Sequence, residues 1–356
     1  MKAPVWYLCL LAVGLFSTAL AAPDQTWVLD PQEGWQDLSE LPEGDPMAAI
    51  SALRQQLSSG QRSEVLAALE SLKVSYPHLA GDDMDAFIEA EKIYQAGRFG
   101  RAARLYKDFL ETWPDSPFQP LAMERYFAIG TAFLQGEKRE LLRIFRIPAF
   151  DDGVTIMRNI AEMTGNAPIA LRALQVTAEN QERRERYIEA YHTWAEIATR
   201  WPTGDVGRNA LLRMARALHA SYDGPDYDVS VLRSAQSYFE QYIQRYPQKA
   251  EAIELSETLT LITEQLAYKA YETGFYYERV NNVAAAHHYY NSIIEQWPET
   301  SAARKAEARL APDPDPAVKP TFQRGLFDAA GGFLDSWFGL GLLFGSSDDD
   351  AASEVN

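Results

Sequence analysis

Cysteine is almost missing from this chain. Its 356 residues carry one, Cys9, and that one lies inside an apolar N-terminal run. Once the run is removed there is no disulfide framework, no cysteine-ligated metal and no cysteine nucleophile, so stability has to come from packing. Histidine is scarce as well, with five in all. His287 and His288 are neighbours, which a helix points about 100° apart, a poor arrangement for sharing a metal. His192 and Glu196 lie on one helical face but supply fewer ligands than zinc takes. Positive charge is short: 33 Lys and Arg against 50 Asp and Glu leave a net charge of −17. Neutralising phosphates needs clustered Lys and Arg, so nucleic acid is excluded as a partner, and broad adhesion to anionic lipid is disfavoured.

Catalytic motifs are also lacking. There is no Gly-rich phosphate loop and no G-x-S-x-G elbow. Residues 223–228 (DGPDYD) lack the spacing and closing glutamate of a calcium loop, and read as a turn and helix N-cap. The run Arg183, Arg184 and Arg186, flanked by Glu182, Glu185 and Glu189, reads as a solvated, salt-bridged helical face. We therefore expect no catalytic residue, no metal and no cofactor, and a protein that is not an enzyme.

The first apolar run, Val5 to Phe16, follows Lys2 and is too short to span a bilayer comfortably. Ala19-Leu20-Ala21 supplies a small-residue cleavage site, so residues 1–21 are expected to be a signal peptide cut after Ala21. That predicts export to the periplasm. Cys9 sits too early to be lipidated at the cleavage point.

What is present is a repeat. Aromatic-proline pairs recur at Tyr76-Pro77, Trp113-Pro114, Trp201-Pro202, Tyr246-Pro247 and Trp297-Pro298. Eight residues before the last four prolines stand Tyr106, Trp194, Phe239 and Tyr290. Twelve before stand Ala102, Ala190, Ala235 and Ala286; fifteen before, Phe99, Tyr187, Leu232 and Val283. A small and an aromatic residue four apart share a helical face. The alanine admits a neighbouring helix, the ring fills the space beside it, and the proline ends the helix. Gly97 and Asn281-Asn282 mark turns from the preceding helices, expected at 85–95 and 266–278. A degenerate unit is expected at about 151–178, with Thr164 in the proline slot.

This pattern resembles the tetratricopeptide repeat. The last unit offers Gly274, Tyr277, Asn281, Ala286, Tyr290 and Pro298; an earlier one offers Ala90, Ile93, Gly97, Ala102, Tyr106 and Pro114. Narrower stretches resemble the BamD family, the tetratricopeptide component of the β-barrel assembly machinery of outer membranes. They are IYQAGRFGRAARLYKDFLETWPDSPF, YDGPDYDVSVLRSAQSYFEQYIQRYP and LAYKAYETGFYYERVNNVAAAHHYYNSIIEQWPETSAARKAEARL. The resemblance spans about 85–310. It implies an all-α, tetratricopeptide-like solenoid of helical hairpins, five or six units long, that binds proteins. The chain departs from that family in having no cysteine to lipidate.

The expected organisation is a signal peptide (1–21), an N-terminal extended arm and first helix (22–60), the repeat domain (61–310), a Pro-rich linker (311–320), an apolar Gly-rich tail segment (321–345) and an acidic disordered end (346–356). Residues 141–150 (LLRIFRIPAF) read as an apolar and basic insertion broken by Pro148. Helical register puts Phe87, Glu91, Tyr94, Tyr268, Tyr271 and Phe275 on a partner-binding groove, because aromatics in a groove anchor peptides or partner helices. In the tail, Phe322, Leu326, Phe333 and Trp337 form one apolar helical face for docking. Asp328, Asp335 and four glycines argue against a membrane span there, while peripheral membrane contact through the tail stays open. The expected function is a periplasmic protein–protein scaffold, BamD-like and acting in outer-membrane protein assembly. The alternative is an exported tetratricopeptide adaptor coordinating cell wall or division.

Overall fold

The computed structural model describes residues 62–141 and 145–312, the backbone at 27–30 and 34–37, and the single positions 50 and 53. The expected signal peptide, Cys9, most of the linker, and the tail residues Phe322, Leu326, Phe333 and Trp337 lie outside the described residues.

The fold is all-α, tetratricopeptide-like, with helices joined as consecutive hairpins. It divides into two units at Tyr126/Phe127. The first contains an antiparallel pair, β1 (Trp27–Asp30) and β2 (Gly34–Asp37), within the stretch expected to be an extended arm. Helices α1 (Arg62–Ser75), α2 (Asp82–Gln95) and α3 (Phe99–Thr112) follow, and α4 (Gln119–Leu134) starts there. Asp82, Asp83 and Asp85 stand in the first turn of α2, where the helix dipole favours negative charge. Gly97, at φ 72°, makes the left-handed turn into α3.

The second unit takes the end of α4 and a β-hairpin, β3 (Lys138–Leu141) with β4 (Phe145–Pro148). The apolar insertion is thus the return limb of a hairpin, and Pro148 closes its last strand. Then come α5 (Phe150–Thr164), α6 (Pro168–Arg183), α7 (Tyr187–Arg200), α8 (Gly204–Ala220), α9 (Ser230–Arg245), the short α10 (Pro247–Ala252), α11 (Leu255–Arg279), α12 (Val283–Gln296) and α13 (Ser301–Leu310). From α5 to α9, each helix packs on the next; α11, α12 and α13 pack mutually, and α9 also meets α11. Helix α11 begins eleven residues before the expected 266, because the apolar run from Leu255 continues its buried face through Thr258 and Ile262.

The repeat has one local geometry. Trp113, Trp201, Tyr246 and Trp297 end α3, α7, α9 and α12 at φ −126°, −128°, −136° and −137°, as the following proline requires by forbidding the α region to the residue before it. Ala102, Ala190, Ala235 and Ala286 are buried against the neighbouring helices, and so are Tyr106, Trp194, Phe239 and Tyr290. Each ring buried this way contributes on the order of 3–5 kcal/mol against alanine.

The degenerate unit is α4 with α5, not 151–178. Gly153 takes the small slot and Met157 the large one, which puts the proline-equivalent position at Gly165 (φ 56°) rather than Thr164. The glycine is structural: a Cβ at 153 would lie 2.9 Å from the Leu134 backbone N and 3.0 Å from the Gly130 carbonyl oxygen. The run beginning at Ala167 belongs to the next unit, as the start of α6.

Candidate partner-binding surface

Three hairpins share a polar device. In the first unit, Tyr106 of α3 donates its hydroxyl to Glu91 of α2, and Arg125 of α4 donates to the same carboxylate at 2.7 and 3.1 Å. In the second unit, Trp194 donates its indole N–H to Glu182 at 2.8 Å, and Arg213 pairs with Glu182 at 2.9 Å. At the last hairpin, Tyr290 donates to Glu278 at 2.7 Å, and Arg309 of α13 pairs with it at 3.0 Å through Nε. A carboxylate, buried at Glu91 and Glu182 and partly exposed at Glu278, is thus held by the ring of its own hairpin and by the arginine of the next helix. Burial pushes the Glu182 carboxyl up to about 7, against the opposing pull of Arg213 and the Trp194 N–H. Burial, with Arg213 beside it, lowers Arg216 to about 10.

Each arginine stands nineteen residues after its ring: 106 and 125, 194 and 213, 290 and 309. Where the large slot holds Phe239 or Met157, which have no strong donor, the same position holds Thr258 or Val176. That spacing was the available sequence signal, and the aromatic-proline reading passed over it. From α8 to α11 a different polar contact is made: His219 Nε2 lies 3.0 Å from the Gln265 amide oxygen, and burial lowers the His219 pKa to about 4.

These contacts correct the groove expected from register. Phe87, Glu91, Tyr94 and Tyr271 are buried inside their hairpins. Phe87 packs on Tyr106, Phe109 and Phe118 with ring centroids 5.7–6.0 Å apart. Tyr94 lies under the Arg125 guanidinium at 4.5 Å, and Tyr271 lies between Tyr268 and Tyr290. A partner cannot reach these four without unpacking a repeat; register placed them on helix A but could not tell its solvent face from the face that α3 or α12 covers. Tyr268 and Phe275 are half-buried. Lys305 sits 5.3 Å from the Tyr268 ring, and Arg309 and Arg279 sit 5.3 and 6.0 Å from the Phe275 ring. The structure leaves these two rings, edged by cations, as the accessible part of the expected site.

Other singled-out residues find ordinary roles. Asp228 accepts from the Ser230 backbone N–H at the start of α9 and from its hydroxyl, which holds the carboxyl below its usual range. Glu196 pairs with Arg200 at 2.8 Å. Arg184 and Arg186 lie 4.3 and 5.0 Å from the Phe150 ring, so that basic run also covers a core residue. An open cleft of about 610 Å³ lies among α6, α8, α9 and α10, with Arg208 and Lys249 at its edge and Leu212, Tyr242 and Ile253 along its wall. Among the described residues no group of three or more His, Cys, Asp or Glu could hold a metal, and no helix is long and apolar enough to cross a membrane.

The sequence profile of the YfiO family, described as an outer membrane lipoprotein, matches residues 218–311. The matched part runs from the end of α8 through α13, and over it the chain is similar to that family. A search of curated proteins returns no match. Among solved structures, the human IFIT1 dimer with PPP-AAAA is similar at 11% identity, over 84% of this chain and 92% of that one, with a TM-score of 0.19; a superposition that poor supports no inference about shape or ligand.

Proposed function

We propose that this chain is a periplasmic, non-catalytic scaffold that holds proteins of the outer-membrane assembly apparatus together, in the manner of BamD. The observation that carries this reading is the match of residues 218–311 to an outer membrane lipoprotein family, on a fold made of helical hairpins. Export by cleavage after Ala21, without lipidation, is part of the proposal. Tyr268 and Phe275 on α11 are the proposed partner anchors, because rings present large contact area at low entropic cost and the flanking Lys305 and Arg279 suit an acidic partner segment. The test is affinity capture from detergent-solubilised envelopes, with the captured proteins identified by mass spectrometry. Barrel-assembly proteins would support the proposal; cell-wall or division proteins would favour the adaptor alternative. Mass spectrometry of the mature N-terminus checks export: it should begin at Ala22, and a diacylglyceryl group or an intact Met1 would refute that part.

A further inference from the structure

The tip of the last hairpin is an apolar patch. Of the seven large hydrophobic side chains found exposed among the described residues, three cluster at the α11–α12 turn: Tyr276 at 54%, Val280 at 52% and Val283 at 49%. Tyr277 and Tyr289 stack beside them with ring centroids 5.5 Å apart. Solvent-exposed apolar residues are ordinary singly, but three at one turn are a candidate contact surface.

We propose that this tip is covered by the chain's own segment 321–345. Its starting point is fixed by the structure. Arg309, the penultimate residue of α13, pairs with Glu278 at 3.0 Å and lies 5.3 Å from the Phe275 ring. Glu278 is two residues from both Tyr276 and Val280, so the chain leaves α13 beside the patch. The ten residues 311–320 include four prolines, and a polyproline-like linker reaches about 3 Å per residue, so roughly 30 Å is available against a patch within one or two helical turns of the exit. Tethering of this kind raises the local concentration of a segment to about the millimolar range. The segment's sequence carries the matching chemistry: Phe322, Leu326, Phe333 and Trp337 recur at four- and seven-residue steps, so a helix there would present all four on one face. This contact is separate from the Tyr268–Phe275 anchors, and its failure leaves the proposed function standing.

Hydrogen exchange on the purified full chain, without lipid, tests it. Amides of 321–345 are expected to exchange at least about tenfold more slowly than in an isolated peptide of residues 313–356. The double variant V280D/V283D should bring them to within about twofold of the peptide, with the circular dichroism of the hairpins unchanged because both side chains are exposed. Exchange at the peptide rate in the unmodified chain would overturn the proposal. So would protection that survives the double variant, which would put the segment elsewhere, or protection that grows with protein concentration, which would put a second copy on the tip.

Discussion

The Glu91–Tyr106–Arg125 cluster gives the most quantitative test of how the hairpins are held. Glu91 is fully buried and the Arg125 side chain is 8% exposed. Replacing Arg125 with Met leaves a carboxylate with one neutral donor in a dry interface. Breaking a buried pair from one side costs about 3–5 kcal/mol, because the remaining charge is uncompensated. The guanidinium also sits on the buried Tyr94 ring, worth a further ~2 kcal/mol in a desolvated site. Tyr106→Phe alone removes a hydrogen bond to a charged acceptor and should cost about 1.5–3 kcal/mol. The triple variant Glu91→Leu/Tyr106→Phe/Arg125→Met removes every partner together, leaves nothing buried and unpaired, and should fall within about 1 kcal/mol of the parent. Urea unfolding by circular dichroism, with native-state hydrogen exchange of α2 to α4 to assign the loss locally, measures all three. If Arg125→Met costs less than about 1 kcal/mol, or the triple variant is as damaged as the single one, the carboxylate is not held as argued.

Other outcomes follow from the same structure. Gly153→Ala normally gains up to about 1 kcal/mol in a helix, yet here the added Cβ meets α4 backbone, so thermal melting should show a net loss; a rise in Tm would mean the helices can separate freely. Tyr271→Ala should cost about 3–5 kcal/mol as a core ring, whereas Tyr276→Ala at the exposed tip should change folding by no more than about 0.5 kcal/mol; equal effects on Tm would contradict the burial assigned to Tyr271. Two buried groups oppose each other in pH. Glu182, raised from 4.5 to about 7, is neutral when folded at low pH; its contribution is complete below 4.5 and lost as pH rises through 7. His219, lowered from 6.5 to about 4, contributes fully above 6.5 and loses that contribution as pH falls through 4. Each window is worth about 3 kcal/mol at 1.36 kcal/mol per unit, so between 4.5 and 6.5 they largely offset one another. Glu182→Gln should therefore gain stability relative to the parent as pH rises from 4.5 to 7, read as the difference in Tm across that range, and a constant difference would contradict the Glu182 assignment.

The helical hairpins were legible because their signal is local. An alanine, a ring four residues later and a terminal proline are required by close helix approach and chain reversal, and Ala102, Ala190, Ala235 and Ala286 are buried as that reasoning demands. The unit with Gly153 and Met157 was expected at 151–178 instead of on α4 and α5, with its proline slot one residue early, because it keeps the packing but not the residues that advertise it. The groove was read less well for a different reason. A ring or carboxylate on helix A looks the same in sequence whether it faces solvent or the next helix, and Glu91, which looks like a binding residue, is instead the centre of a buried cluster whose arginine lies 34 residues away. Long-range polar pairing leaves its trace only in the spacing between separate helices.

Site-specific photo-crosslinking in living cells, with the probe at Tyr268, tests the central claim most directly. The account predicts that Tyr268 captures a barrel-assembly protein and that a probe at Ala67, an exposed position on α1, does not. Capture of a cell-wall or division protein through Tyr268, or equal capture from both positions, would contradict it.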